Sequence, residues 1–415
     1  MPIGARLQRG WHELRAMRCT VGVALALALA ALCANAGAAG NLGATTAGSP
    51  APGDPPPYHL TVALPEGVSA RTIGFRLADD QGYFRNYGLV VDFVTDPAQP
   101  PSRLLADGKA DLAVDLMPVA LQLHQGGAPL QHVAQFFQHS SLGLYCRAPI
   151  TKPSDLHGTT IGVWFGGEES SFYAWMSQLN ISTFGEEDGV TVLRQGRASQ
   201  SLGDARLDCV TSTSYLAPRE MRAGGIVPAS RTVFRYEELG VGTLEDGLYA
   251  RSDDLKDKKR IDAFARFLAA SIRGWQKLHD DRPSALRLLR DRGANEAEIA
   301  PQNASREDGD RPKGDRRGGN GGKSTPAANA GAAAKDTGNP DAADLAALKA
   351  SLDAVDGLVD PAHFKIGLLD VQSYDRTVNL LLTGAPEPVL QGAPVAAVSD
   401  ILWKQLRQVT GPAKP

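Results

Sequence analysis

The sequence predicts an α/β protein of two lobes joined by two crossing strands. Three observations lead there. Strand-like and helix-like stretches alternate in two separate series, the rhythm of a mostly parallel sheet covered by helices. A short motif closes each series, "LGLYCR" at 142–147 and "DGLYAR" at 246–251. Beyond the second copy the chain turns helical.

Taken in chain order, residues 1–36 read as an export signal. Arg15 and Arg18 precede the apolar run "TVGVALALALAALCANA", and Ala34-Asn35-Ala36 supplies a small-x-small cleavage pattern. The run is roughly 14 residues before its small-residue end, too short to span a bilayer comfortably. Cys33 follows Ala30-Ala31-Leu32 and lacks the leucine three places back that a lipoprotein signal needs. A soluble periplasmic chain with no membrane insertion after cleavage is therefore expected. Residues 37–57 form a linker with little to bury, expected to be disordered.

Ordered structure is expected from Tyr58. The first series has strands at 59–64, 90–94, 112–116 and 131–137, with helices near 71–84, 102–107 and 118–125. The second has strands at 160–165, 190–194, 207–213 and 231–236, with helices near 170–180 and 214–223. The recurrent Gly-Leu-Tyr motif marks two crossings, where the chain leaves one lobe and later returns. The expected division is 58–145 for the first part of lobe I, 146–247 for lobe II, and 248–300 with 341–410 for the return and C-terminal helices. Paired crossings act as a hinge, and a cleft between hinged lobes closes around a ligand. In the tail, Ile261, Phe264, Leu268, Ile272, Trp275 and Leu278 recur at helical spacing. Leu345, Leu348, Leu352 and Val355 repeat the pattern, as do Tyr374, Val378 and Leu381. These stripes read as core. Residues 301–340 carry no large apolar side chain and read as a disordered insertion.

Composition narrows the function. The chain has 415 residues, 43% hydrophobic and 21% charged, enough to bury large cores in more than one domain. Without residues 1–36 it holds 39 basic and 45 acidic residues, a net charge of −6 that excludes the basic footprint of a nucleic-acid binder. Only Cys146 and Cys209 then remain, and two cysteines alone complete no tetrahedral zinc site. Whether they pair in an oxidising compartment depends on their Cα separation, which the sequence leaves open.

Ligands of open α/β sheets sit beyond the carboxyl ends of strands, so those ends carry the candidate site. In "IGVWFGGEESSFYAWM" Gly166 and Gly167 let the backbone turn out of the strand, and Ser170 or Ser171 can cap the following helix. Glu168 and Glu169 in the same turn would repel a bare phosphate, and neither a P-loop lysine nor a G-x-G-x-x-G spacing is present. Glutamate instead accepts hydrogen bonds from amines or hydroxyls, while Trp164, Phe165 or Tyr173 offers a stacking surface. The alternative is that these acids only complement the helix dipole and the aromatics are core. Asp115 precedes Met117 and the N1 proline Pro118, and is a cap or a ligand acceptor. Thr211, Ser212, Thr213 and Tyr215 present hydroxyls at another strand–helix junction. Gln138 and His139 precede the first crossing, and Asp246 heads the second. No G-x-S-x-G elbow, H-E-x-x-H or cysteine–histidine signature occurs, so the polar groups suit holding a molecule better than transforming it. Neither a metal site nor a cofactor site is expected.

The stretches "LADGKADLAVDLMPVAL", "CRAPITKPSDLHGTTIGVWFGG", "FYAWM", "VTVLRQG" and "TLEDGLYAR" resemble the thiamine-pyrimidine-synthase-like family of solute-binding proteins. The resemblance covers about 58–300 and resumes over 342–410. It implies a type II periplasmic-binding-protein-like fold and a monomeric, non-enzymatic receptor that delivers a small molecule to an ABC transporter permease. It also implies that the turn after "VWFGG" lines the cleft. Receptors of this family bind thiamine-precursor pyrimidines, with riboflavin, taurine and nitrate receptors as relatives, so a small heteroaromatic metabolite is expected and nitrate, sulfonate or taurine is the alternative. A sensor handing its ligand state to a membrane signalling partner is a further alternative. Where the family shows Asn-Glu-Tyr-Pro-Phe after the two glycines, this chain has Glu168-Glu169-Ser170-Ser171-Phe172. The segment "PEGVSARTIGFR" (65–76) likewise departs from the family's His-Ala-Pro-Tyr-like stretch. A pyrimidine-synthase-like enzyme of the same fold is the remaining alternative; eukaryotic members of that kind use a cysteine cluster near the site, of which only Cys209 has a counterpart here.

Overall fold

The computed structural model describes residues 56–185, 188–195, 204–223, 230–299, 340–384 and 388–409. The export signal, nearly all of the 37–57 linker and nearly all of the 301–340 insertion lie outside the described residues.

Two five-stranded sheets organise the chain. The first contains β1 (Tyr58–Ala63), β2 (Leu89–Val94), β3 (Leu112–Asp115), β4 (Leu130–Gln135) and β10 (Gly247–Arg251), in the order β2-β1-β3-β10-β4. The second contains β5 (Leu142–Arg147), β6 (Thr160–Val163), β7 (Thr191–Arg194), β8 (Cys209–Thr213) and β9 (Arg231–Arg235), in the order β7-β6-β8-β5-β9. The two orders are the same topology. In each, four strands run parallel and the fourth position holds the one antiparallel strand, β10 or β5.

The Gly-Leu-Tyr motifs are those two antiparallel strands, and neither spans the gap between lobes. Both are buried along nearly their whole length and paired on both edges, which a strand crossing open space could not be. The crossings lie just ahead of them, at 136–141 and 236–246. The lobe boundaries thus fall a few residues earlier than the motif suggests: 142–145 belongs to the second sheet, and Gly247 already belongs to the first. The leading glycine of each motif is required by packing. A Cβ at Gly143 would stand 3.0 Å from the Phe234 carbonyl oxygen, and one at Gly247 would stand 2.8 Å from the His132 ring.

The helices are α1 (Ile73–Asp80), α2 (Tyr83–Asn86), α3 (Pro101–Ala106), α4 (Met117–Gln125), α5 (Glu169–Gln178), α6 (Ala217–Ala223), α7 (Lys258–Asp280), α8 (Arg282–Ile299), α9 (Pro340–Val359), α10 (Val371–Thr383) and α11 (Ile401–Leu406). Several starts follow local chemistry. Proline stands in the first turn of α3 and α4, Asp257 accepts from the Lys259 and Arg260 amides to cap α7, and Asp370 accepts from the Ser373 amide to cap α10.

Strand alternation sorts each sheet's side chains to two faces. In the first sheet Val62, Val114 and Leu248 join the cluster under α1 and α7, while Ala63, Ala113 and Tyr249 join the one under α3 and α4. In the second, Leu144 and Cys209 face Phe172, Trp175 and Met176 of α5, and Tyr145 and Val210 face Ala217 and Met221 of α6. Helices α1 and α7 approach through glycines, with Phe75 edge-on to Trp275 at 5.5 Å between ring centres. The C-terminal helices reach both lobes. Helix α9 packs on α6, with Arg222 Nε 3.1 Å from Asp344, and α10 lies between α4 and α5.

Cys146 and Cys209 form a disulfide. They are directly opposite residues of neighbouring antiparallel strands, with Cα atoms 4.1 Å apart.

Candidate functional site

Topology brings the strand ends together. Parallel strands β1, β3 and β4 send their carboxyl ends to one edge of the first sheet. Because β10 runs antiparallel, its first residue Gly247 lies opposite Asp115 and Gln135, so Asp246 arrives at that same edge. In the second sheet Leu142 at the start of β5 lies opposite Thr213 at the end of β8. Both crossings therefore run between the two edges.

The turn after β6 is built from its own acids. Glu169 folds back so that one carboxylate oxygen accepts from the Gly166 amide at 2.9 Å and the Gly167 amide at 2.7 Å. This occupies both glycine amides, leaves neither for an anion, and spends one oxygen of Glu169. Gly167 takes φ +115°, which disfavours any side chain, and a Cβ there would stand 2.6 Å from Val119 of lobe I. The lobes are thus in close contact at this turn. Contrary to the sequence expectation, no serine caps α5; the Ser170 and Ser171 hydroxyls are buried in its first turn without a protein hydrogen-bond partner. Trp164 is half-buried at the end of β6, its amide donating 3.0 Å to the Thr211 hydroxyl. Phe165 is more exposed, with Tyr173 edge-on at 6.3 Å and the Arg194 guanidinium over its ring at 5.4 Å.

The hydroxyl cluster after β8 is largely internal. Thr211 serves Trp164, Ser212 donates to Glu220 at 2.8 Å, and Thr213 accepts from the Leu216 amide at 3.2 Å. Tyr215 reaches lobe I, edge-on to Phe137 at 6.3 Å. Burial holds its phenol well above the ordinary range, against the pull of Arg71.

On the lobe I wall, Asp115 is also engaged. One oxygen accepts from the Ser102 amide at 2.9 Å and from the Ser102 hydroxyl, the other from the Leu116 amide at 2.8 Å. Burial still pushes its carboxyl up, because these bonds and Arg71 offset only part of the desolvation. Met117 is fully covered, packing with Leu121, Leu244, Val378 and Leu381 beneath α10. Gln138 is covered as well, its amide group donating to the Gln135 and Leu368 carbonyls.

The central cation was not foreseen. Arg71, in the loop after β1, donates from Nε to both oxygens of Asp246 at 2.9 and 2.8 Å and from Nη2 at 2.5 Å. Asp246 is 1% exposed and Arg71 13%. Burial works against the guanidinium charge, but Asp246, with Tyr215 and Glu66 adding to it, keeps it firmly protonated. The field of Arg71 extends to Glu168 on the facing lobe. Burial pushes the half-buried Glu168 carboxyl up, Arg71 draws it back, and Glu169 and Asp115 push it further up. The signal for Arg71 was its position beyond the first strand's carboxyl end, in the segment noted above only for its departure from the family pattern.

The crossings are stitched to each other. Glu245 of the second accepts from the Ser141 amide and hydroxyl at 2.5 Å and from the Ser140 hydroxyl at 3.0 Å on the first. Burial pushes Glu245 up to about 7. His139 lies 3.3 Å from Glu237 of the second crossing and 3.2 Å from Asp360 beyond α9. Among the described residues no group of three or more His, Cys, Asp or Glu side chains is arranged to hold a metal, and no helix is long and apolar enough to cross a membrane.

Residues 69–285 match the NMT1/THI5 like family model, which spans more than half of the chain. The chain belongs to the NMT1/THI5-like family. No curated protein sequence matches this family member. Its fold is similar to a crystal structure described as a putative sulfonate ABC transporter, periplasmic sulfonate-binding protein from Methylobacillus flagellatus, at TM-score 0.53 and 14% identity, covering 87% of this chain and 99% of that one. It is also similar to the ligand-binding component of an ABC-type import system from Staphylococcus aureus with zinc bound, at TM-score 0.52 and 12% identity, covering 84% and 98%. At such identities the likeness concerns fold, and this NMT1/THI5-like chain has the two-lobed periplasmic-binding-protein architecture.

Proposed function

We infer that this protein is the exported solute-binding component of an ABC importer, acting as a monomer and without catalytic turnover. It closes its lobes on a small amine-bearing heteroaromatic metabolite, a thiamine-precursor pyrimidine or a riboflavin-like ring, and presents the closed form to a membrane permease. Family membership and fold support the receptor role, and the Cys146–Cys209 disulfide suits an oxidising, exported setting. The ligand class rests on one observation. Around the guanidinium of Arg71 stand Asp246, Glu66, Glu168 and Glu245, an excess of acid that favours a hydrogen-bond-donating or cationic ring over an anion. In this reading Trp164 stacks on the ring, Glu168 and Tyr215 take its polar edge from lobe II, and the remaining crevice residues position these groups. Binding free energy then favours the closed state.

Native mass spectrometry of the exported protein identifies what it carries, and thermal-shift titration compares aminopyrimidines and flavins with taurine and ethanesulfonate. A shift with the heteroaromatic set supports the ligand class. A shift with the sulfonates alone overturns it and leaves a receptor for anions.

A further inference from the structure

We propose that Asp246 is a specificity-determining residue: by clasping Arg71 it withholds the crevice's central cation from anionic solutes. The proposal rests on reading the crevice as the solute site. Sulfonates and carboxylates are recognised most strongly through paired N–H donors of a guanidinium. Here that recognition is already satisfied inside the protein, since Nε and Nη2 of Arg71 engage both oxygens of Asp246. Asp246 is held for this task from both sides. Its carbonyl accepts from the Phe136 amide at 3.2 Å, and Gly247 behind it is pinned in register between β3 and β4. The lobe II amides that could have received an anion, those of Gly166 and Gly167, are closed in the same manner by Glu169. Two potential anion sites facing one crevice are thus each neutralised by a carboxylate of the chain itself.

A buried guanidinium that loses its partner becomes an uncompensated charge and a ready anion site. Asp246→Asn, which keeps the shape and removes the charge, is therefore expected to bind ethanesulfonate. Calorimetric titration at pH 6, where the Glu245 carboxyl at about 7 is mostly protonated, gives the cleanest contrast. The expected gain over the wild type is tenfold or more, about what one charge-assisted hydrogen-bonded pair supplies. A parallel titration with an aminopyrimidine reports on the ligand class independently, so the two ideas fail separately. Ethanesulfonate binding by the wild type at micromolar affinity would overturn the proposal whatever the variants do. So would an Asp246→Asn protein, folded by circular dichroism, that binds ethanesulfonate no better than wild type. Asp246→Ser repeats the test should the asparagine variant not fold.

Discussion

His139 illustrates how single side chains fix this molecule's moving parts. Its ring joins three segments that meet at the crossings, with Glu237 on one nitrogen and Asp360 on the other. The hydrogen bond to Glu237 raises its pKa most, burial opposes, and Asp360 raises it further. Arg376 acts on Glu237, His363 binds Asp360 at 2.7 Å, and the Phe364 ring stands edge-on to the imidazole at 5.4 Å. Both ring nitrogens can donate only in the protonated form. A raised folded-state value means the contribution is complete below the unfolded value of about 6.5 and is lost as pH climbs through the folded one. Glu237 and Asp360 are shifted down, so their share is complete above the ordinary carboxylate value and is lost only as pH falls from there through the depressed one, well below pH 6. His139→Gln is thus expected to lower the melting temperature by a few degrees at pH 6 and by less at pH 9. Melting curves at the two values check it, and an equal loss at both would reduce His139 to a neutral spacer.

At the scale of elements, the contact between α1 and α7 decides how lobe I holds together. A Cβ on Gly274 would lie 2.0 Å from the Gly74 carbonyl oxygen and 2.8 Å from the Ala78 Cβ. Alanine in a helix is ordinarily favoured over glycine by about 1 kcal/mol. Here the backbone of α1 stands in the way, and forced separation of packed helices costs about 1–3 kcal/mol. Gly274→Ala is therefore expected to destabilise despite its better propensity, by up to about 2 kcal/mol net on denaturant titration. This contact also marks the limit of what the sequence discloses. The apolar stripe from Ile261 to Leu278 announced α7, and Trp275 announced itself as core. Gly74 and Gly274 gave no comparable sign, because a glycine needed for close approach looks the same in one sequence as a glycine that merely turns. The same holds at the site. Strand-end reasoning points to the turn at Gly166–Glu169, because its glycines and acids are adjacent in sequence, whereas Asp246 stands out only as the residue heading the second Gly-Leu-Tyr motif. It missed Arg71 because nothing near Arg71 in sequence says that a partner 175 residues away will take its charge. It also overcounted available hydroxyls: Thr211, Ser212 and Thr213 each find their partner only through tertiary contact.

The whole molecule adds a coupling that neither lobe contains. Helices α9 and α10 belong by sequence to the return into lobe I, yet α9 packs on α6 and α10 on α5 of lobe II. Leu380 of α10 joins the lobe II core, while Val378 and Leu381 join Met117 of lobe I. The disulfide lies wholly in lobe II and closes a separation of 63 residues. In the chain-entropy account such a loop is worth about 4 kcal/mol. Independent lobes would answer its removal by melting separately, lobe II early and lobe I unchanged. Lobes tied by two shared helices would instead melt together at a lower temperature. The packing favours the second outcome, with a single transition lowered by something on the order of 5–10 °C in a Cys146→Ser, Cys209→Ser double variant. Calorimetry distinguishes the two, because uncoupled lobes give two endotherms and coupled lobes one. Two endotherms would mean that α9 and α10 merely rest on lobe II, and closure of the crevice would then have to be carried by the crossings alone.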